Sequence, residues 1–285
     1  MNSIELKSPA KLNLYLKVIR KRPDGFHELK TIFERINLMD SIRLSNDPKG
    51  KIRIQCDHPQ VPKGPRNLVY RVADLLKRDF GVRQGVHIDI KKRIPVAAGL
   101  AGGSSNAATT LMGLNKLWNL GLSRKKLVEY AQKIGSDVPF FLYDCSWALG
   151  TGRGDVISPM DLKVKLWHVL LVPKVKMLTP KVYGAMNLKL TKLGDDVNIL
   201  TRYLGQNDVH MVGSLLCNDL EQPISFLKPN LVKIKEKMRS FEVAGAAFSG
   251  SGPSIFSVVK SQKKALEICE KLKRRYAQVF VVQTF

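Results

Sequence analysis

The segment that most constrains the fold joins a strand pattern to a helix pattern through a loop of small residues. Val86, Ile88 and Ile90 alternate with polar residues, which predicts a strand, and apolar residues recur at helical spacing over 107–117, which predicts a helix. The residues between them are rich in glycine, alanine and serine. A strand that passes through such a short loop into a helix indicates a protein of mixed α and β structure.

The loop of small residues can approach a ligand closely with its backbone. Because a helix starts directly after it, backbone N–H groups and the positive end of the helix dipole point out of the loop, and Ser104 and Ser105 add hydroxyl donors. A tight turn packed against the sheet explains the glycines equally well. The helix start carries no bulky side chain, because the two serines are followed by Ala107 and Ala108. This favours an anion site. The segment matches neither the Walker A pattern nor the GxGxxG fingerprint.

The remaining patterns predict two halves that differ in their order of strands and helices. The first half contains strands at 4–19 and 36–44, a hairpin turn at 46–50 leading to a strand at 51–55, a helix at 67–80 that Gly81 stops, and a helix from Ser123 to Ile134. The glycine-loop helix is expected to end at Gly121. The second half contains a buried strand at 166–172, helices at 180–186, 198–203, 209–216, 230–239 and 263–276, and strands near Ala246, Ile255 and Val279. These elements predict an α+β protein in two layers, with mostly antiparallel strands in the first half and a second domain beyond residue 158.

Composition excludes several classes of protein. The 285 residues are 44% hydrophobic and 25% charged, which excludes a disordered chain. An uninterrupted apolar stretch of membrane-spanning length is absent from the sequence, and Glu5 and Lys7 stand where a signal peptide would be apolar, so we expect a cytoplasmic protein without a membrane partner. The four cysteines form no CxxC pair, and we expect free thiols, mostly buried.

The net charge is unusually positive, since 47 Lys and Arg against 24 Asp and Glu give +23. Such a charge favours anionic partners. The basic residues lie in scattered groups at 91–93, 124–126 and 273–275, which is typical of a solvated surface. We therefore expect non-specific binding of polyanions and no specific nucleic acid partner, with a basic nucleic-acid-binding protein as the rival hypothesis.

Several segments together resemble the GHMP kinases. Residues 95–108 resemble the phosphate-binding motif of that superfamily, and residues 248–254 resemble its third glycine-rich motif. Residues 8–14, 22–29 and 135–141 resemble segments of one branch of the superfamily, in the same order. The resemblance implies a two-domain α+β fold: an ATP-binding domain like ribosomal protein S5 domain 2 at 1–158, and a ferredoxin-like C-terminal domain at 159–285. It also implies transfer of the γ-phosphoryl group of ATP, accompanied by Mg²⁺, to an alcohol.

The same resemblance assigns roles to individual residues. It implies that Asp137 is the catalytic base and that Lys11 lies beside it. Taken without the resemblance, Asp137 would be a helix cap or turn residue and Lys11 a solvated strand lysine. The residues implied to bind ATP are Asn67, Lys91, Pro95, Val96, Ala97, Ala98, Gly99, Leu100, Ala101, Gly102, Gly103, Ser104 and Ser105. The residues implied to bind the acceptor are Asn13, Phe26, His27, Thr179, Tyr183, Gly250 and Ser251.

The segment at 22–29 narrows the acceptor. Phe26 and His27 resemble the cytidine-binding pair of one branch of the superfamily, and Tyr183 fits the opposite face of the base. That branch phosphorylates the 2-hydroxyl of 4-diphosphocytidyl-2-C-methyl-D-erythritol, a cytidine diphosphate-linked methylerythritol, in non-mevalonate isoprenoid precursor biosynthesis. A GHMP kinase with another acceptor, of the homoserine or mevalonate type, is the alternative.

The chain also departs from the superfamily pattern. Ala97, Ala98 and Ala101 stand at loop positions that are glycine in many members, which predicts a stiffer loop. Asn106 stands where aspartate is common, so the metal ligands stay unassigned. Arg153 is either a phosphate contact or a turn charge.

Overall fold

The computed structural model describes residues 2–188 and 197–285. The chain divides into two compact units. Unit 1 consists of Met1–Ala10, Leu38–Val96 and Ala101–Asp144, and unit 2 of Lys11–Asn37, Ala97–Leu100 and Cys145–Phe285. The two longest strands, β1 (Ser3–Lys21) and β2 (His27–Asp47), contribute residues to both units.

Unit 1 combines a sheet with three α-helices. Besides parts of β1 and β2 it contains β3 (Ile52–Cys56), α1 (Leu68–Phe80), β4 (Gly85–Lys91), α2 (Gly102–Leu117), α3 (Arg124–Ile134) and a 3₁₀ helix at Pro139–Leu142. The buried faces of β4 and α1 meet the alternation and the helical spacing expected from the sequence, since Val86, Ile88 and Val69 are fully buried. The strand, glycine-loop and helix order over 85–117 is confirmed.

The predicted hairpin between β2 and β3 is wrong. Strand β4 pairs antiparallel with β2, from Ser41 opposite Lys91 to Asp47 opposite Gly85. Strand β3 pairs parallel with the other side of β4, so that β4 lies between β2 and β3. The turn at 46–50 does reverse the chain, but the crossover through α1 returns β4 to the central position, where its apolar face is covered.

Local capping signals fix the helix ends as the sequence predicts, with one exception. The Asn67 side chain accepts a hydrogen bond from Val69 N at the start of α1, and Gly81 follows its end in the left-handed conformation. The Ser123 side chain caps α3 in the same way. Helix α2 ends at Leu117 and not at Gly121, because the chain already leaves helical geometry at Asn119, where φ is +51°.

Unit 2 contains a four-stranded antiparallel sheet in the order β11 (Val279–Gln283), β7 (Trp167–Leu171), β10 (Ile255–Val259) and β9 (Gly245–Phe248). In the same unit, β1 pairs parallel with β8 (Cys217–Asn218), and β2 pairs antiparallel with β5 (Trp147–Thr151), which pairs with β6 (Val156–Met160). The helices are α4 (Thr179–Gly184), α5 (Val197–Gly205), α6 (Val209–Ser214), α7 (Glu221–Leu227), α8 (Pro229–Arg239) and α9 (Gln262–Lys273).

The predicted strands and helices of the second half are confirmed, whereas β5, β6, β8 and α7 were not predicted. The core of unit 2 lies between the four-stranded sheet and its helices, where Val169, Leu171 and Val279 pack with Ile268 and Leu272 of α9. Apolar burial of this kind is the main favourable term in folding.

None of the four cysteines forms a disulfide, as expected. Cys56 and Cys269 are buried, and burial raises the pKa of both thiols. Cys145 and Cys217 are only half-buried, so the expectation of mostly buried thiols holds for two of the four. Within the described ranges, no helix is both long enough and apolar enough to cross a membrane.

Candidate active site

At the start of α2 in unit 1, Gly103 is exposed, whereas Gly102 is buried against Ile94. Ala101 precedes the helix with a φ of +54°, and its methyl group cannot cap the first turn. A side-chain carbon built on Gly103 would meet only Leu68 Cδ1, at 4.0 Å, so nothing nearby requires glycine there. The first turn of a helix presents backbone N–H groups and the positive end of the dipole. This end of α2 can therefore receive an anion such as a phosphate.

A buried charged network supports this helix start. Asp40 on β2 is fully buried, and its Oδ1 accepts hydrogen bonds from the backbone N–H groups of Arg93 (2.7 Å) and Ile94 (2.9 Å). Its Oδ2 accepts from Lys92 Nζ and from Asn106 Nδ2 (2.9 Å). Asp40 thus ties the segment that enters the glycine-rich loop to the first turns of α2. We call Asp40, Lys92 and Asn106, with Ser8 and Ser105, the charged hub.

The remaining members of the charged hub are neutral. Ser105 is fully buried, and its hydroxyl shares a hydrogen bond of 2.8 Å with the hydroxyl of Ser8. Asn106 Nδ2 also donates to Ser8 Oγ (2.9 Å), and Asn106 Oδ1 accepts from Lys92 Nζ at 3.4 Å. The side chains of Ser105 and Asn106 are therefore engaged beneath the loop, while Ser104 is half-buried at its edge.

The other predicted residues of unit 1 lie on other elements. Asn67 is engaged at the start of α1, where Nδ2 donates to Pro62 O (2.7 Å) and Oδ1 caps the helix. Lys91 is exposed at the end of β4. Asp137 is half-buried in the turn between α3 and the 3₁₀ helix.

In unit 2, Lys11 on β1 is held in a fixed position. Its side chain is buried, its Nζ donates a hydrogen bond to Asn13 Oδ1, and the ammonium lies 5.3 Å from the centroid of the Phe33 ring. Asn13 Nδ2 donates to Thr31 Oγ1 (2.8 Å), which in turn donates to Tyr15 O (2.6 Å). This chain of hydrogen bonds helps to orient the ammonium.

Two glycine-containing loops of unit 2 meet at this ammonium. Gly99 has a φ of +77°, and a side-chain carbon on it would lie 2.2 Å from Ser249 O, so only glycine fits. Ser249 Oγ donates to Gly99 O (3.0 Å). A carbon built on Gly250 would lie 3.5 Å from Lys11 Nζ and 3.3 Å from Asn13 Oδ1. Four predicted residues, Lys11, Asn13, Gly99 and Gly250, are thus brought together.

An aromatic cluster forms the second candidate subsite of unit 2. The rings of His27 and Tyr183 stack with centroids 5.0 Å apart. Phe26, next to His27, keeps 53% of its surface exposed, which is unusual for so large an apolar side chain. Burial, together with the charge of Lys21, lowers the pKa of His27 below its ordinary value of 6.5. The imidazole is therefore neutral at physiological pH and has one donor and one acceptor nitrogen.

Arg153 belongs to the same cluster. Its guanidinium lies 5.0 Å from the centroid of the Phe26 ring and forms two hydrogen bonds with Asp155 Oδ2, at 2.7 and 3.1 Å. The arginine therefore covers one side of the exposed ring. Thr179 and Ser251, both predicted acceptor contacts, share a hydrogen bond of 2.8 Å.

Comparison with known proteins identifies the family. Residues 67–145 match the model of the GHMP kinases N terminal domain, and residues 200–278 match that of the GHMP kinases C terminal domain. Two curated relatives cover almost the whole chain. One from Brevibacillus brevis strain 47 is 41% identical over 98% of this chain and 96% of its own length. The other, from Geobacillus kaustophilus strain HTA426, is 43% identical with the same coverage.

The chain belongs to the GHMP kinase family. Both relatives carry the name 4-diphosphocytidyl-2-C-methyl-D-erythritol kinase. A crystal structure of a 4-(cytidine 5'-diphospho)-2C-methyl-D-erythritol kinase superposes with a TM-score of 0.83 at 31% identity, covering 99% of this chain and all of that one. The chain thus has the two-domain GHMP kinase fold, with N-terminal and C-terminal family domains.

Two supporting residues of this GHMP kinase were not predicted. The sequence does contain a signal for Asp40, because an acidic residue on the apolar face of a predicted strand needs a buried partner. Asn218, which bonds the loop of Gly250, had none, since β8 is only two residues long and its partners lie 30 and 32 positions away.

Proposed function

We propose that this GHMP kinase transfers the γ-phosphoryl group of ATP to the 2-hydroxyl of 4-diphosphocytidyl-2-C-methyl-D-erythritol, a step of non-mevalonate isoprenoid precursor biosynthesis. The observation that carries the proposal is the identity of 41% and 43% with relatives of that name over 98% of the chain. The solved kinase with a TM-score of 0.83 supports it.

Asp137 acts in this proposal as the catalytic base, and Lys11 provides positive charge for the transferring phosphoryl group. An alcohol is a poor nucleophile, so a carboxylate that accepts its proton and a fixed cation are what the reaction requires. The burial of Lys11 and its hydrogen bond to Asn13 support the second role, because a preorganised charge stabilises a transition state more than a mobile one. The role of Asp137 comes from the family resemblance.

ATP is held in this proposal by the glycine-rich segment 95–105, with Asn67 and Lys91 on the adenosine side. The first turn of α2 has no side-chain cap and is exposed at Gly103, which supports phosphate binding there. In this proposal, residues 1–158 form the ATP-binding domain and residues 159–285 form the C-terminal domain.

Mg²⁺ enters as part of the MgATP substrate. Within residues 2–188 and 197–285, no group of three or more His, Cys, Asp or Glu side chains could hold a metal ion. Magnesium is commonly bound through substrate phosphates and retained water, with few protein ligands. We assign it no protein ligand and no step.

The acceptor is bound in unit 2. Phe26, His27 and Tyr183 hold the cytosine, where a neutral His27 hydrogen-bonds the base edge. Asn13, Thr179, Gly250 and Ser251 contact the remainder of the acceptor. The enzyme works in the cytoplasm, and its positive charge gives only salt-sensitive binding of nucleic acid.

The decisive test is release of ADP by the purified protein with MgATP and this acceptor. Asp137→Asn abolishes turnover and leaves ATP binding intact, whereas Asp144→Asn, at an exposed carboxylate of the same unit, keeps turnover. CMP competes with the acceptor. Release of ADP with homoserine or a mevalonate phosphate, and none with the cytidine acceptor, would replace the proposal by the alternative.

A further inference from the structure

The side-chain amide of Asn218 forms hydrogen bonds with three backbone groups. It lies on β8 opposite Leu16 of β1, and only 7% of its surface is exposed. Its Nδ2 donates to Phe248 O and to Gly250 O, each at 2.8 Å, and its Oδ1 accepts from Leu220 N at 3.0 Å. Both amide hydrogens therefore hold the first turn of the loop 249–252.

That loop is the one whose glycine faces the ammonium of Lys11. Gly250 takes a φ of +55°, and a carbon built on it would lie 3.5 Å from Lys11 Nζ and 3.3 Å from Asn13 Oδ1. On the other side, Ser249 Oγ donates to Gly99 O (3.0 Å), and Gly252 N donates to Ser249 O (3.0 Å). The position of the loop thus sets how closely its backbone approaches the ammonium.

The chemistry of an asparagine suits this position. An amide donates twice while remaining neutral, so it can hold two carbonyl oxygens without adding a charge near Lys11. An aspartate in the same place would set carboxylate oxygens against Phe248 O and Gly250 O, acceptor against acceptor, while it could still accept from Leu220 N. The substitution would therefore release the loop selectively.

We propose that Asn218 is a positioning residue for phosphoryl transfer, which holds Gly250 against Lys11 and Asn13 and so keeps the ammonium and the acceptor in reactive alignment. The inference rests on the proposed function. Displacement of a reacting group by about 1 Å costs on the order of 100-fold in rate. Loss of Asn218 therefore falls mainly on kcat. Because Ser249 of this loop donates to Gly99 O in the proposed ATP segment, the KM for ATP should shift as well, but by less than kcat falls.

The experiment compares Asn218→Asp with Asn115→Asp. Asn115, in unit 1, makes the same type of contact, donating to Leu122 O (3.1 Å) and accepting from Leu122 N (2.9 Å). Both variants lose a donor to a backbone carbonyl and should lower the melting temperature. Only Asn218→Asp should lower kcat, by about tenfold or more, and this loss should exceed any change in the KM for ATP.

A second variant covers the case in which Asn218→Asp does not fold. Asn218→Ser keeps one hydroxyl donor in place of two amide hydrogens, and its kcat should fall between those of Asn218→Asp and the wild type. An unchanged kcat in a folded Asn218 variant, or an equal loss of kcat in Asn115→Asp, overturns the inference. Absence of ADP release by the wild-type protein would instead count against the proposed function.

Discussion

The two units support their glycine-rich segments by different chemistry. In unit 1, the start of α2 rests on the charged hub, where a fully buried Asp40 binds Lys92, Asn106 and two backbone N–H groups. In unit 2, the neutral amide of Asn218 holds the loop 249–252, and Asn13 accepts a hydrogen bond from the ammonium of Lys11. A buried ion pair can thus anchor a segment that receives an anion through its backbone, whereas a neutral amide can hold a loop through its carbonyl oxygens without adding a charge.

The largest expected effect follows from breaking the charged hub with Asp40→Asn. The asparagine oxygen can still accept from the N–H groups of Arg93 and Ile94, but Lys92 loses its buried counter-charge. Removal of one partner from a buried ion pair costs about 3 kcal/mol or more. Urea unfolding at neutral pH measures the loss, and the KM for ATP should rise because the loop entrance is no longer tied to α2.

The matched control restores neutrality on both sides. Asp40→Asn combined with Lys92→Met removes the unpaired ammonium and should recover a large part of the lost stability. If the double variant were as unstable as Asp40→Asn alone, the hydrogen bonds of Asp40 to the backbone would be the main contribution, and the ion pair would not distinguish the two units.

Local signals account for the parts of the fold that the sequence predicts well. Asn67, Gly81 and Ser123 act within a few residues of their own helix ends, so their effect is visible in the sequence. The order of strands is not local. The insertion of β4 between β2 and β3 depends on how α1 packs, and for this reason the hairpin prediction failed.

The candidate site divides in the same way. Motif resemblance singled out Lys11, Asn13, Gly99 and Gly250, and the structure brings these four together. Their supports were missed, because Asn218 meets Gly250 only in the folded chain, and the partners of Asp40 lie 52 to 66 positions away. Residues that hold a site are in general harder to predict than the residues that form it, since a single polar side chain carries no spacing pattern.

Substitution of Gly103 tests whether the loop glycines are needed for a tight turn or for the close approach of a phosphate. A carbon on Gly103 would meet only Leu68 Cδ1, at 4.0 Å, so Gly103→Ala should fold normally and gain up to about 1 kcal/mol from helix propensity. If phosphates approach this turn closely, the methyl group should raise the KM for ATP about tenfold, with the KM for the acceptor unchanged. Thermal unfolding and steady-state kinetics measure both. An unchanged KM for ATP would favour the tight-turn interpretation of the segment.

The third prediction concerns the pH dependence of cytidine binding. Burial and Lys21 lower the pKa of His27, so the neutral imidazole persists to a lower pH than in a free histidine. Affinity for cytidine should weaken at low pH, as His27 takes up a proton, with a midpoint below the ordinary histidine value of 6.5. Titration calorimetry with cytidine avoids the ionisation of phosphate groups. His27→Gln should remove the pH dependence, and a dependence that survived in this variant would assign it to another group.

The smallest expected effect comes from backbone strain at one alanine in each unit. Ala101 in unit 1 and Ala97 in unit 2 both take a φ of +54°, a conformation that costs an alanine about 1 kcal/mol. Substitution by glycine removes this strain, but it also raises the conformational entropy of the unfolded chain, which offsets part of the stabilisation. Each change to glycine should therefore stabilise the protein by about 0.5 kcal/mol. Ala98→Gly is the control, because the φ of Ala98 lies outside the left-handed region and its substitution should only destabilise. Chemical unfolding of the three variants measures the differences. Equal gains at 97 and 101 would show that the strain is local to each alanine, whereas a gain confined to Ala101→Gly would show that the charged hub imposes it on the start of α2.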